Sequence, residues 1–98
     1  MIIKKTMEDD VLNVKLTGRL DTLTSRELDS SLAEDLKDAN RLVFDLEDLE
    51  YMSSAGLRVI HATQKYMSKK GGMKVRNLND VVSEIFEITG FNDILDIE

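Results

Sequence analysis

Two neighbouring hydroxyls, Ser53 and Ser54, stand where an apolar run gives way to helical spacing, in the segment Asp45-Leu46-Glu47-Asp48-Leu49-Glu50-Tyr51-Met52-Ser53-Ser54-Ala55-Gly56-Leu57. A serine in such a place can be a nucleophile, a helix cap or the acceptor of a phosphate. Nucleophilic catalysis needs a base within hydrogen-bond reach. The only histidine, His61, follows seven positions later on the same expected helix, which puts it roughly 10 Å up the axis. No Gly-x-Ser-x-Gly elbow is present either, so His61 reads as a surface or core-edge residue and the chain as a non-enzyme. The other two chemistries share one physical basis. At a helix start the backbone N–H groups lack internal partners and the dipole is positive, which suits a serine oxygen or a phosphate equally. A cap serine stabilises by about 1 kcal/mol, whereas a phosphate adds about two negative charges beside Glu47, Asp48 and Glu50 and changes that surface abruptly. Both readings stand at this level.

Other chemistries find less support. There is no cysteine, which removes disulfides and thiolate metal sites, and a lone histidine makes a mixed metal site poor, so no metal is expected. The carboxylate pairs Asp9-Asp10 and Glu47-Asp48 have no spacing that favours acid–base work and read as solvated loop charges. Gly71-Gly72 lacks the Lys-Ser/Thr of a phosphate-binding loop and ends a helix instead of starting one, so no cofactor is indicated. The net charge of -6 opposes nucleic-acid phosphates and anionic lipid headgroups. Lys65, Lys69 and Lys70 form the one basic cluster visible in the sequence, and they sit where cations complement a helix C-terminus. No apolar stretch approaches the length that spans a bilayer, so a cytoplasmic protein without membrane contact is expected.

The elements that must position the serines follow from periodicity. Ile2 to Met7 and Val11 to Leu16 alternate and form a hairpin around Glu8-Asp9-Asp10, with Gly18 breaking the pattern. Thr24 and Glu27 match a capping box ahead of Leu28, Leu32, Leu36 and Ala39 on one helical face. Leu42-Val43-Phe44-Asp45-Leu46 is a central strand, and Glu47 to Met52 leads to the serines. Gly56, Val59, Ile60, Thr63 and Met67 carry the second helix to its stop at Gly71-Gly72. Met73 to Asn77 is a strand, Asn79 or Asp80 caps a third helix closed by Gly90, and Ile94, Leu95 and Ile97 form a short terminal strand. With 42% apolar and 33% charged residues, the chain folds as one domain, residues 1–98. The class is α/β, with a mixed central β-sheet (opening hairpin, then parallel crossovers) and about three to four helices.

The strand ending in Asp45, then Tyr51-Met52, the serine pair and Ala55-Gly56-Leu57 resemble the phosphorylation segment of bacterial STAS-domain anti-sigma factor antagonists. Gly18-Arg19-Leu20-Asp21 resembles a second short motif of that family, and the element order agrees along nearly the whole chain. The resemblance implies a STAS-like fold and phosphorylation of Ser54, with Ser53 the second candidate. It implies an anti-sigma factor that is also a serine/threonine kinase as partner, and a serine phosphatase that reverses the modification. The unphosphorylated form would bind the kinase and free the sigma factor, and the chain alone would be a monomer. Asp21, Ser53, Ser54, Ala55, Gly56, Leu57 and Arg58 would form the partner surface. For Asp21 and Asp45, turn-stabilising and strand-end roles compete with roles in the switch. Three positions depart from the pattern: Ser53 where many phosphorylated members have Asp, Ala55 where many have a hydroxyl, and Arg58 where small Gly is common. Arg58 has two candidate partners, the phosphate and Glu50. The rival reading is an unphosphorylated docking module that regulates a transporter or a larger signalling assembly.

Overall fold

In a computed structural model that describes all residues, Met1–Glu98, the alternation of the opening segment becomes a two-faced ribbon. Strands β1 (Ile2–Glu8) and β2 (Val11–Leu20) pair antiparallel. Asp9 turns the corner at a positive φ of 56°, a conformation aspartate tolerates better than most side chains. Leu12, Val14, Leu16 and Leu20 face inward and are buried, whereas Asn13, Lys15 and Thr17 on the opposite face are only half-buried.

Gly18 does not end this strand. It sits in the left-handed region at φ 107°, which costs glycine little, and β2 continues to Leu20. The extension matters because β2 serves two parallel partners in succession. Val11 to Lys15 pair with β3 (Arg41–Asp45), and Gly18 to Leu20 pair with β4 (Leu49–Met52). Between Gly18 and Arg19 the register skips Glu50, so β4 carries an extra residue. Strict alternation would put Leu49 and Met52 on opposite faces. The bulge turns both inward, and both are buried.

Helix α1 (Thr22–Leu32) is followed by the short α2 (Asp35–Asp38), where the sequence predicts one uninterrupted helix to Ala39. The predicted inward face survives, with Leu28, Leu32 and Ala39 buried and Leu36 partly so. Carbonyls exposed around the break are taken by lysines: Lys5 donates to Ser31 O at 2.9 Å and pairs with Asp35, and Lys70 donates to Leu36 O at 2.7 Å. Helix α3 (Ser54–Met67), β5 (Met73–Arg76), α4 (Asp80–Thr89), a single 3-10 turn (Phe91–Asp93) and β6 (Asp96–Ile97) complete the chain.

The sheet runs β1-β2-β3-β5-β6, with β4 beside the far end of β2. Phe44, Ile60, Met67, Val75 and Phe86 are fully buried with the β2 leucines in one continuous core. The helices cover one sheet face. Along the other run Lys15, Val43, Asp45, Lys74 and Arg76, half-buried or exposed.

Candidate functional site

Parallel pairing makes β2 and β4 end side by side, and each strand passes directly into a helix. The Ser53 amide donates to the Leu20 carbonyl at 2.8 Å, so the residues that follow, Asp21 on one strand and Ser53 on the other, open α1 and α3 next to each other. Gly56 lets α3 come this close: a Cβ there would lie 2.9 Å from Leu20 Cγ and from Met52 Cγ. Crevices beyond the carboxyl ends of parallel strands are where α/β sheets place their functional surfaces.

The cap of α3 is Ser53, not Ser54. Ser53 has extended backbone (φ -83°, ψ 174°), and its Oγ accepts from the Gly56 amide at 3.3 Å. Ser54 is the first residue of the helix proper, solvent-exposed, and its hydroxyl makes no hydrogen bond within the protein. No protein group accepts from the amides of Ser54 and Ala55. The capping role thus falls on Ser53 and leaves the Ser54 hydroxyl unengaged.

Asp21 is the cap of α1, and the capping box predicted from Thr24 and Glu27 lies three residues earlier than expected, with Thr24 as its inner member. Asp21 Oδ1 accepts from the Leu23 amide at 3.1 Å and the Thr24 amide at 3.0 Å, while the Asp21 amide donates back to Thr24 Oγ1 at 2.8 Å. The Thr24 hydroxyl hydrogen is shared between the Arg19 carbonyl at 2.7 Å and Asp21 Oδ1 at 3.1 Å. The Thr24 amide, then the Thr24 hydroxyl, hold the Asp21 carboxyl below the usual carboxylate range, with the Leu23 amide and the Arg19 charge adding to them. Oδ2 carries none of these bonds and remains free for a partner.

Of the other predicted contact residues, Gly56 and Leu57 are buried. In this structure they seat the helix, because the turn that brings Ser54 and Arg58 outward carries Gly56 and Leu57 inward. Ala55 is partly exposed and Arg58 is exposed. Arg58 is absent from the ion pairs of the molecule, so Glu50 is not its partner; one helical turn beyond Ser54, it lies on the same exposed face.

Asp45 closes its strand as a structural residue. Its Oδ1 accepts from the Glu47 amide at 3.1 Å and its Oδ2 from Asn77 Nδ2 at 3.0 Å. Sequence reasoning misses the extent of this clamp. Asn79 caps α4 through the Val82 amide at 2.9 Å, and its Nδ2 also reaches the carbonyls of Leu46, Glu47 and Leu49 at 3.2, 2.9 and 2.7 Å. The loop that leads to the serines is therefore held by the residue that opens α4. Arg19 lies over the Tyr51 ring, 4.5 Å from its centroid, an attraction between neighbours in the β2–β4 register. Lys15 meets Asp48 at 3.3 Å, and that contact raises the lysine's pKa. His61 packs edge-on against Phe91, with ring centroids 5.8 Å apart, which gives it the core-edge role expected of it. No group of three or more His, Cys, Asp or Glu side chains is placed to hold a metal ion, and no helix is long and apolar enough to cross a membrane.

Two helix starts open at adjoining strand ends, and one of them presents an exposed, unbonded hydroxyl. The sequence matches the STAS domain family over residues 3–98, and the protein belongs to that family. It is 35% identical over 94 residues to the anti-sigma-B factor antagonist of Bacillus subtilis (strain 168), covering 95% of this chain and 85% of that protein. With the anti-sigma-B factor antagonist of Staphylococcus aureus (strain NCTC 8325 / PS 47) the identity is 31% over 97 residues, covering 97% and 90%. The structure superposes on an anti-sigma factor antagonist from Mycobacterium paratuberculosis with a TM-score of 0.88 at 24% identity, over 98% of this chain and 83% of that one. For the antagonist SpoIIAA in its unphosphorylated form the TM-score is 0.84 at 15% identity, over 99% and 88%. The STAS domain of a SulP transporter from Vibrio cholerae gives 0.66 at 14%, over 94% and 75%. Likeness of fold therefore extends to transporter domains, and only the sequence identities single out the antagonists.

Proposed function

We propose that this protein is an anti-sigma factor antagonist switched by phosphorylation of Ser54. In the unphosphorylated state it binds an anti-sigma factor that is also a serine/threonine kinase, and so releases the sigma factor. Phosphate on Ser54 ends that binding, and a serine phosphatase restores it. The chain acts in the cytoplasm, as a monomer when alone, and has no catalytic residue of its own.

The observation that carries this reading is the division of labour at the start of α3. Ser53 supplies the cap, so Ser54 is exposed, unbonded and dispensable for the fold. Its modification costs no native hydrogen bond. Relatives 35% and 31% identical in sequence are named anti-sigma-B factor antagonists, which supports the same partner class. A phosphate placed here meets unpaired amides and the positive end of the helix. No large rearrangement is required, and the partner is expelled by charge and steric conflict at the contact surface. That surface consists of Ser54, Ala55, Arg58 and the free oxygen of Asp21, with Ser53 setting its backbone.

The direct test is phosphopeptide mass spectrometry on protein purified with its partners from its native cells in growth and under stress. Phosphate confined to Ser54, with occupancy that changes between the two conditions, is the expected result. Ser54→Asp should lose the kinase partner and Ser54→Ala should retain it permanently. A stable partner without phosphate in either condition, with Ser54→Ala functionally silent, would overturn the switch in favour of a constitutive docking module.

A further inference from the structure

Helix α3 carries two permanent cations, Arg58 and Lys65, and not one carboxylate, although the chain holds 19 Asp and Glu residues. Arg58 is exposed and uncommitted: it forms no ion pair and lies over no aromatic ring. Its helical neighbours three and four residues away are Ser54, Ala55, His61 and Ala62, and of these only Ser54 can acquire a negative charge, by phosphorylation. Side chains on an α-helix lean toward its N-terminus, so Arg58 reaches back over the turn that holds Ser54. An anion four residues before a cation is also the better of the two orders for an ion pair on a helix. The neighbouring elements supply repulsion and no rival: Asp21 opens the adjoining helix, Glu50 lies on the strand that leads to the serines, and Arg19 is drawn over the Tyr51 ring. A phosphate on Ser54 therefore enters acidic surroundings with one free cation a turn away on its own helix.

We infer that Arg58 is the positioning residue for the Ser54 phosphate: in the phosphorylated protein its guanidinium closes on the phosphate oxygens and leaves the contact surface. The inference rests on the phosphorylation of Ser54 proposed above and adds a second half to that switch. Phosphorylation then alters the surface twice, by adding an anion and by withdrawing the cation that a partner meets in the unmodified protein. A guanidinium suits this task because its paired N–H donors match the oxygens of a phosphate. The dipole of α3 attracts any anion at the helix start, whereas Arg58 acts through one side chain. A single substitution therefore separates the two effects.

The test is a phosphorus NMR titration of the whole chain with phosphoserine incorporated at position 54, compared with the same protein carrying Arg58→Gln, Arg58→Lys, Arg19→Gln or Lys65→Gln. The second ionisation of the phosphate should move up by about 0.3 pH units in Arg58→Gln, and Arg58→Lys should recover part of the difference. Arg19→Gln and Lys65→Gln should leave the titration in place, and several hundred millimolar salt should shrink the Arg58 effect. The Arg58 Nε–H resonance should shift in step with the phosphate in the phosphorylated protein and stay still in the unmodified one. Equal titration with and without Arg58 would overturn the inference, as would an Arg58 resonance blind to the phosphate or a larger effect from Arg19→Gln. Because Arg58 is exposed and unpaired, its variants keep the fold, which unchanged amide shifts in the core check. The phosphate is installed, so the two readings fail separately: absence of phosphoserine in native cells would sink the switch, whereas a titration indifferent to Arg58 would sink only the pair.

Discussion

The starts of α1 and α3 share a backbone plan and differ in how completely their amides are satisfied. At α1 one carboxylate oxygen accepts two amides, a threonine returns the bond, and the box is closed. At α3 a serine hydroxyl accepts one amide at 3.3 Å, and the amides of Ser54 and Ala55 are left without a protein acceptor. Both helices follow strands locked in the same parallel pair, so position alone does not explain the difference. The lesson is that one start is a finished joint and the other keeps binding capacity in reserve, next to a hydroxyl with no structural duty.

Substitutions that disturb the α3 start sharpen this contrast. The largest effect is expected from Gly56→Ala. The added methyl meets Leu20 and Met52 at 2.9 Å, and overpacking should outweigh the helix preference for alanine by about 1–2 kcal/mol in denaturant unfolding. A loss near zero would mean that the helix can ride outward and that the tight seating is not required. Next comes the pair of serines: Ser53→Ala should cost about 1 kcal/mol, and Ser54→Ala less than about 0.5 kcal/mol. Reversal of that order would make Ser54 the cap and remove the argument for its availability.

Phosphoserine incorporated at position 54 should stabilise the protein by about 0.5 kcal/mol through the helix dipole, and less in high salt. A destabilised, spectrally rearranged protein would show that the site cannot take an anion without refolding. The smallest effect concerns the finished joint. Because the folded-state pKa of Asp21 is lowered, its stabilisation is complete above the ordinary carboxylate range and is lost as pH falls through the lower folded-state value. Asp21→Asn keeps a good cap without the titration, so its acid unfolding should be shallower in that window. Identical acid profiles for the two proteins would place the pH-sensitive cap elsewhere.

Much of this was legible in the residues, and the failures have physical causes. Alternation in Val11 to Leu16 and the helical spacing of Gly56, Val59, Ile60, Thr63 and Met67 mark buried faces, which burial enforces strongly. The strand Leu49–Met52 does not show in the sequence pattern, because its burial reads in, out, out, in, which strict alternation does not produce and a bulge does. The cap of α1 lies three residues before the predicted one because Asp21, Thr24 and Glu27 repeat at the same spacing, and local pattern does not distinguish a cap from the inner member of a box. Ser53 and Ser54 were legible as a pair at a helix start. Which of them caps depends on where the Leu20 carbonyl fixes the chain, a contact across strands. The clamp by Asn79 was half visible, as a cap, while its bonds to three carbonyls join segments distant in sequence. The row of Lys4, Lys15, Asp45 and Arg76 across four strands is invisible in the chain order for the same reason.

The extra residue in β4 sets a rule for insertions and deletions. Glu50 is exposed and skipped by the ladder, so its side chain can be exchanged freely. Its removal would leave Leu49 and Met52 two positions apart, and a regular ladder would then keep both on the inward face without the bulge. With Asn79 fastening the loop before β4 and the Leu20 carbonyl holding Ser53 after it, the bulge is the one place where the stretch from Asp45 to Ser54 carries a residue to spare. Evolution or design can shorten the chain there without moving the serine that the strand delivers, whereas a residue taken from the clamped loop would pull against its anchors.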